Sequence, residues 1–291
     1  MEFVAAQFIN GIATGGIYAL LVLGFNVLIL VGGVFQFAYP YIVVLSMYIG
    51  WIVMRATGGN IAFGILAIIG SGVGLNLLTE PLFRPLVRRG AKIATFIVSL
   101  GIAIICTDLM VRQIHGGVPI GFPIELTGRE ALVSFGVATL SRGQLATIVG
   151  SFTALGVFMY LLYQTKLGRS FRSVAQNPLA ARIFGIPILR MSIYSFTLAG
   201  LLAGVSAAFL AMTLGGASAF LGANLAIKVF AVAIFAGVGN LKGGLICALI
   251  LGLVESFVTG SVPGLWTNAV AFSMILVVII VKPQGLFGAR A

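Results

Sequence analysis

The groups able to do chemistry are few: six Asp and Glu, 17 Lys and Arg, and one His in 291 residues. The acids are widely spaced, so no carboxylate pair is set up for general acid–base work. His115 alone builds neither a metal cluster nor a zinc-protease pair, and no Gly-x-Ser-x-Gly elbow occurs. Cys106 and Cys247 sit inside apolar runs, with no metal-ligand spacing and no disulfide framework. The stretch Gly237-Val-Gly-Asn-Leu-Lys-Gly-Gly244 lacks the Lys-then-Ser/Thr ending that holds phosphate and magnesium. No cofactor is expected, and any ATP must be bound by a partner. What remains is polar pairing and recognition. Asn10, Thr14 and Tyr18 recur every fourth residue and would form one stripe on a helix. Asp108 and Arg112 have the spacing of a helical ion pair. Lys228 and Glu255 interrupt apolar runs with opposite charges, which makes Glu255 a candidate partner for Lys228. Asn26 and Gln36 are polar in similarly apolar surroundings.

The elements that position these groups follow from composition. Hydrophobic residues make up 60% of the chain and charged residues 8%, against about 25% charged in a typical soluble domain. A disordered chain is excluded by the hydrophobicity, and a soluble globule by the apolar surface it would have to hide. The fold class is all-α, a polytopic integral membrane helix bundle of about eight or nine transmembrane segments. Candidate spans are 5–30, 34–55, 61–79, 93–111, 144–163, 192–213, 225–238, 244–260 and 265–281, all in one transmembrane domain over 1–291. The first is read as a retained span, because no basic n-region precedes it. Glycines four apart (Gly11 with Gly15, Gly70 with Gly74, Gly200 with Gly204, Gly239 with Gly243) imply close helix packing. In lipid, the stripe of Asn10, Thr14 and Tyr18 must face protein or a water-filled cavity. It is either part of a solute path or an interhelical hydrogen-bond seam.

The net charge of +11 is read as cytoplasmic loop charge rather than a nucleic-acid surface. Segment 80–92 carries Arg84, Arg88, Arg89 and Lys92 against Glu80, and segment 165–190 carries Lys166, Arg169, Arg172, Arg182 and Arg190 with no acid. Both are expected to be cytoplasmic, with loop 112–142 and the N-terminus outside. Parity then requires the short segment 225–238 to count as a crossing.

Within 165–190 a short helix is punctuated. Asn177 suits the N-cap, Pro178 the first helical position, and Gly185 the left-handed residue that ends the helix. Leu179, Ile183 and Phe184 share one face, with Arg182 turned away. A two-turn helix does not persist alone in water and needs a surface to lie on. Lipid headgroups could supply it, or a cleft on a cytoplasmic ATPase.

The loop resembles the coupling loop of permease subunits in branched-chain amino-acid ATP-binding-cassette importers. Gly168, Arg169, Arg172, Ala180 and Gly185 match its spacing. Asn10-Gly11 followed by Gly16-Ile17-Tyr18-Ala19-Leu20 is similar to that family's opening helix. Glu80-Pro-Leu-Phe-Arg-Pro-Leu86 is similar to its Glu-Arg-x-x-x-Arg-Pro-Leu loop. Lys228-Val229-Phe230, the glycine series 237–244, Gly252-Leu-Val-Glu255 and Pro283-Gln-Gly-Leu-Phe-Gly288 complete six weak motifs in the family's order. One stretch departs. Where the family reads Asn-Phe-Ala-His-Gly, this chain has Gln36-Phe37-Ala38-Tyr39-Pro40-Tyr41, and Pro40 is expected to break or redirect the helix.

The resemblance implies a permease subunit in a prokaryotic inner membrane, moving a small organic solute inward by alternating access. It implies two ATPase subunits, a second homologous permease subunit or a copy of this chain, and an extracytoplasmic solute-binding protein. The coupling residues would be Gly168, Arg169, Arg172, Asn177, Ala180, Arg182, Ile183, Phe184 and Gly185. The solute path would draw on Asn10, Thr14, Tyr18, Gln36, Phe37, Tyr39 and Tyr41, the last two being packing aromatics in the plainer reading. Larger or more aromatic solutes than the family's usual ones are one consequence of the 36–41 departure. The alternative is a stand-alone channel or secondary transporter for a small neutral solute, with the basic loop as a membrane-surface anchor.

Overall fold

The computed structural model describes residues 2–114, 116–128, 131–135, 138–237 and 239–261, with positions 269, 273, 280, 282 and 285–287. His115 and candidate span 265–281, apart from positions 269, 273 and 280, therefore lie outside the described residues. Helix α1 (Glu2–Val27) continues as a π-helical turn, Leu28–Gly32. Then come α2 (Tyr39–Ala56), α3 (Ile61–Arg88) and α4 (Lys92–Asp108), the last extended by a π-helical stretch, Leu109–Ile114. A connecting region holds β1 (Ile120–Gly121), α5 (Ile124–Thr127), β2 (Ala131–Phe135) and β3 (Ala138–Ser141). Helices α6 (Arg142–Gln164), α7 (Lys166–Gln176), α8 (Pro178–Ile183) and α9 (Ile188–Leu214) follow, then β4 (Gly216–Ala217), α10 (Leu221–Ala236) and α11 (Leu241–Ser261).

Among the described residues, seven helices are long and apolar enough to cross a membrane, counting α1 and α4 with their π-helical extensions. Helix α10 has 16 residues, about 24 Å at the α-helical rise, shorter than the hydrocarbon core. It nevertheless joins the two ends of the bundle. β4, just before it, pairs with β1 (Ile120 opposite Ala217), while Gly239, just after it, donates its N–H to Asn26 late in α1.

Helix α1 is central, with 83% of its most apolar window buried, against 22–28% for α3, α4 and α6. The latter turn most of their surface outward, as lipid-facing helices must. Packing on α1 depends on missing side chains. A Cβ on Gly11 would sit 2.8 Å from Leu253 Cα, and one on Gly15 would sit 3.0 Å from Leu249 Cα. Helices α3 and α9 approach similarly, through Gly72 against Gly200 and Gly204. Close backbone approach of this kind substitutes dispersion contact for the hydrophobic force that lipid removes. The pair Gly70 and Gly74 does not take part, since a Cβ on either meets open space. The packing face of α3 is the one carrying Gly72.

Two further expectations are corrected. Residues 80–88 are not a loop, because α3 runs through them. Phe83 is buried and Arg84 pairs with Glu80 one turn back, which holds the helix past its apolar run. Pro40 breaks nothing, because it occupies the first turn of α2, where its missing N–H needs no partner.

Candidate functional site

The intramembrane charges are brought together. Lys228 Nζ on α10 lies 2.5 Å from Glu255 Oε1 on α11 and donates to Tyr18 Oη on α1 at 2.8 Å. Tyr18 in turn donates to Glu255 Oε2 at 2.9 Å. The Lys228 and Glu255 side chains are 11% and 12% exposed. Each charge is met by its opposite and by a hydroxyl, which is how an ion pair is tolerated away from water. Opposite charge alone pointed to Lys228 and Glu255; nothing in the sequence pointed to Tyr18 as their bridge.

The stripe on α1 is therefore divided. Asn10 accepts a hydrogen bond from Gln144 Nε2 on α6 at 2.7 Å, Thr14 is half-buried, and Tyr18 belongs to the α10–α11 pair. Asn10 and Tyr18 thus act as an interhelical seam toward different neighbours.

The 36–41 stretch enters α2 inside the bundle, against Gly24 of α1, Thr79 of α3, Ser99 of α4 and Ala199 of α9, each well within its helix. Gln36 is fully buried and donates to Thr79 Oγ1 on α3 at 3.2 Å, while its Oε1 has no partner among the described residues. Asn76 Oδ1, one turn before Thr79, is likewise buried and unpartnered. Tyr39 is fully buried, its hydroxyl donating to Ala199 O at 3.1 Å and lying over Gly24. Phe37 and Tyr41 are only half-buried. Phe37 stacks on Phe230 of α10 at 4.8 Å and meets Phe96 and Tyr41 at 5.9 Å each, while Phe35 stacks on the same Phe230 at 5.2 Å. An aromatic cluster, partly open at its edge, thus joins α2, α4 and α10. A single sequence offers no signal for its assembly, because its members are distant in the chain.

The basic end is built from the ends of α1, α3 and α9 together with α7 and α8. Helix α7 is an addition to what the sequence led us to expect. Thr165 caps it by accepting from Gly168 N at 3.2 Å, and Gly168, Phe171 and Val174 are buried beneath it. A Cβ on Gly168 would collide with the carbonyls of Leu161 and Leu162, and Arg172 donates to the Leu162 carbonyl while lying over the Tyr163 ring. Gly168 and Arg172 therefore fix the α6–α7 corner, whereas Arg169 is exposed.

Helix α8 has the expected caps. Asn177 Oδ1 accepts from Leu179 N and Ala180 N, both at 3.0 Å, and Gly185 has a φ of 82°. Its burial is not that of a docked helix. Among its residues and Phe184, Ala181 alone is buried, while Leu179, Ile183 and Phe184 are 70%, 77% and 85% exposed, and Arg182 is exposed as well. At the far end of α4, Arg112 and Asp108 form the expected pair at 2.6 Å, largely in the open.

Comparison with known proteins places this architecture. The family model described as "Branched-chain amino acid transport system / permease component" matches residues 7–279. The high-affinity branched-chain amino acid transport system permease protein LivH of Escherichia coli (strain K12) is 23% identical over 97% of this chain and 94% of its own. The corresponding protein BraD of Pseudomonas aeruginosa is 24% identical over 97% and 95%. In fold, the chain is similar to a solved structure titled "PsaBC from Streptococcus pneumoniae in complex with Fab", with a TM-score of 0.52 and 15% identity over 98% of this chain and 93% of that one. The seven apolar helices and these relatives make it a multi-pass inner-membrane protein. Over residues 7–279, the chain belongs to the family of branched-chain amino acid transport system permease components.

Proposed function

We propose that the chain is the permease subunit of an ATP-binding-cassette importer that moves a branched-chain amino acid or a related small organic solute into the cytoplasm by alternating access. The basic end faces the cytoplasm, in keeping with the rule for Lys and Arg. ATP is bound by two partner ATPase subunits and solute is delivered by an extracytoplasmic binding protein. A second homologous permease subunit or a copy of this chain completes the pore. The permease does no covalent chemistry. Its path runs over Gln36, Phe37 and Tyr41, where half-buried aromatic faces and unpartnered buried acceptors can hold an apolar solute with a polar head weakly enough to release it.

One observation carries the coupling reading: α8 is capped at both ends yet leaves Ile183 and Phe184 bare. A short helix with an uncovered apolar face fits a groove on another protein. ATPase closure would move that groove, and α8 with it, switching the open side of the bundle. The test is the double variant Ile183→Asp and Phe184→Asp, purified from its native membrane through a tag. The expected result is a folded permease stripped of ATPase. Normal ATPase recovery with the folded variant would overturn the assignment. A wild-type particle that contains no ATPase and still moves solute in liposomes would replace the importer reading with the stand-alone one.

A further inference from the structure

A cavity of about 950 Å³ opens at the basic end, where the ends of α1, α3 and α9 meet α7 and α8. Its lining is mostly apolar, with Leu30, Val34 and Val87 among the contributors, and Arg84, Arg88 and Arg182 join them. Arg84 is occupied by Glu80, which also accepts from Ser192. Arg88 and Arg182 are exposed, and no carboxylate pairs with either among the described residues. Three helices end at this cavity, and α3 reaches it past its apolar run, so its mouth sits at the headgroup level with the acyl region on its bundle side. An apolar recess beneath uncompensated guanidinium groups at that depth matches a molecule with an apolar tail and an anionic head. A neutral headgroup would leave both arginines unanswered, and a free anion would leave the apolar lining unfilled.

We propose that this cavity is a binding site for one anionic phospholipid, its phosphate held by Arg88 and Arg182 and an acyl chain lying along Leu30, Val34 and Val87. The lipid would also touch Leu179, which lines the cavity from α8. It would thereby fill the gap between this short helix and the bundle while Ile183 and Phe184 stay free. The site stands whether or not α8 couples to an ATPase, because the measurement reads lipid retention.

The test is native mass spectrometry of the full chain with its co-purifying subunits, in micelles carrying equal dioleoyl phosphatidylglycerol and dioleoyl phosphatidylcholine. Wild type is expected to retain phosphatidylglycerol selectively, and inorganic phosphate should not displace it. Arg88→Gln with Arg182→Gln should weaken retention about 25-fold, about fivefold for each arginine. Val87→Trp should weaken it by putting a ring across the acyl path without changing charge, which keeps the test informative if the double variant does not fold. Arg89→Gln, at the same helix end but outside the lining, should leave it within about twofold. Equal retention of the two lipids, or an equal loss in Arg89→Gln, would reduce the site to diffuse surface charge and overturn it. So would a photo-crosslinker at position 87 that captures an ATPase subunit in place of lipid.

Discussion

The bundle interior and the basic end handle exposure in opposite ways. Inside, the groups that do not belong in lipid are hidden and matched, as Lys228, Glu255 and Tyr18 close on one another across three helices. At the basic end, the groups that do not belong in water are left out, as Leu179, Ile183 and Phe184 stand bare on a well-capped helix. That charge match is closed within one chain, although Gln36 Oε1 and Asn76 Oδ1 stay unmatched among the described residues. The basic end leaves its apolar side chains uncovered, which is the opening our proposal fills with a partner. An internal contrast makes the same point. Helix α7, next to α8 and more basic, with Lys166, Arg169 and Arg172 against Arg182, buries Phe171 and Val174 against the bundle. Adjacency and charge therefore do not account for the exposure of α8.

The largest expected effect comes from breaking the interior match. Glu255→Gln leaves a buried Lys228 charge with only neutral partners, a loss of about 3–5 kcal/mol. Unfolding of the purified protein in an SDS titration should show it. Lys228→Met combined with Glu255→Met should recover most of that loss, since both charges disappear together. If the double variant were as unstable as the single one, the pair would have a role that charge balance does not describe.

The next effect tests the two neighbouring helices against each other. Phe171→Ala removes a fully buried ring from beneath α7 and should cost about 3–5 kcal/mol. Phe184→Ala removes an exposed ring and should change stability by no more than about 0.5 kcal/mol. The same Phe184→Ala protein should lose ATPase in co-purification while the residual folded Phe171→Ala protein keeps it. Equal stability losses would mean that α8 is docked rather than bare.

Between these lies the corner that sets the direction of α7. Gly168→Ala drives a methyl into the carbonyls of Leu161 and Leu162, an overpacking cost of about 1–3 kcal/mol. Both stability and ATPase recovery should fall, because α8 inherits its position from α7. A change in stability with full ATPase recovery would show that α8 positions itself independently of the corner.

What could be read from the sequence was local. Span lengths followed from apolar runs, the Asp108–Arg112 pair from helical spacing, and α8 from its Asn-Pro start and Gly finish. What escaped needed three dimensions or helical phase. Tyr18 lies 210 residues from Lys228 and 237 from Glu255, so its bridging role has no local trace. Gly70 and Gly74 had the right spacing on the wrong face of α3, and only the neighbouring helix selects Gly72. Helix α7 was masked by its Lys, Arg and Ser residues, although Thr165 as a cap and Phe171 with Val174 three residues apart were the available signal. Pro40 was misjudged because its effect depends on whether a helix precedes it, and none does.

The smallest expected effect sharpens the comparison most finely. Asn177 touches no partner in our proposal and only accepts the N–H groups of Leu179 and Ala180. Asn177→Ala removes a cap worth about 1 kcal/mol of helix stability. In so short a helix that energy has little to act on except the fraction of time α8 is formed. Global unfolding should barely change, because α8 buries little. The ATPase association constant should fall about fivefold, the equivalent of 1 kcal/mol, because the docking face exists only when the helix does. Asn177→Asp, which keeps an accepting oxygen, should restore it. A loss that Asp did not rescue would mean that Asn177 contacts the ATPase itself, and the bare face would then extend to the helix start.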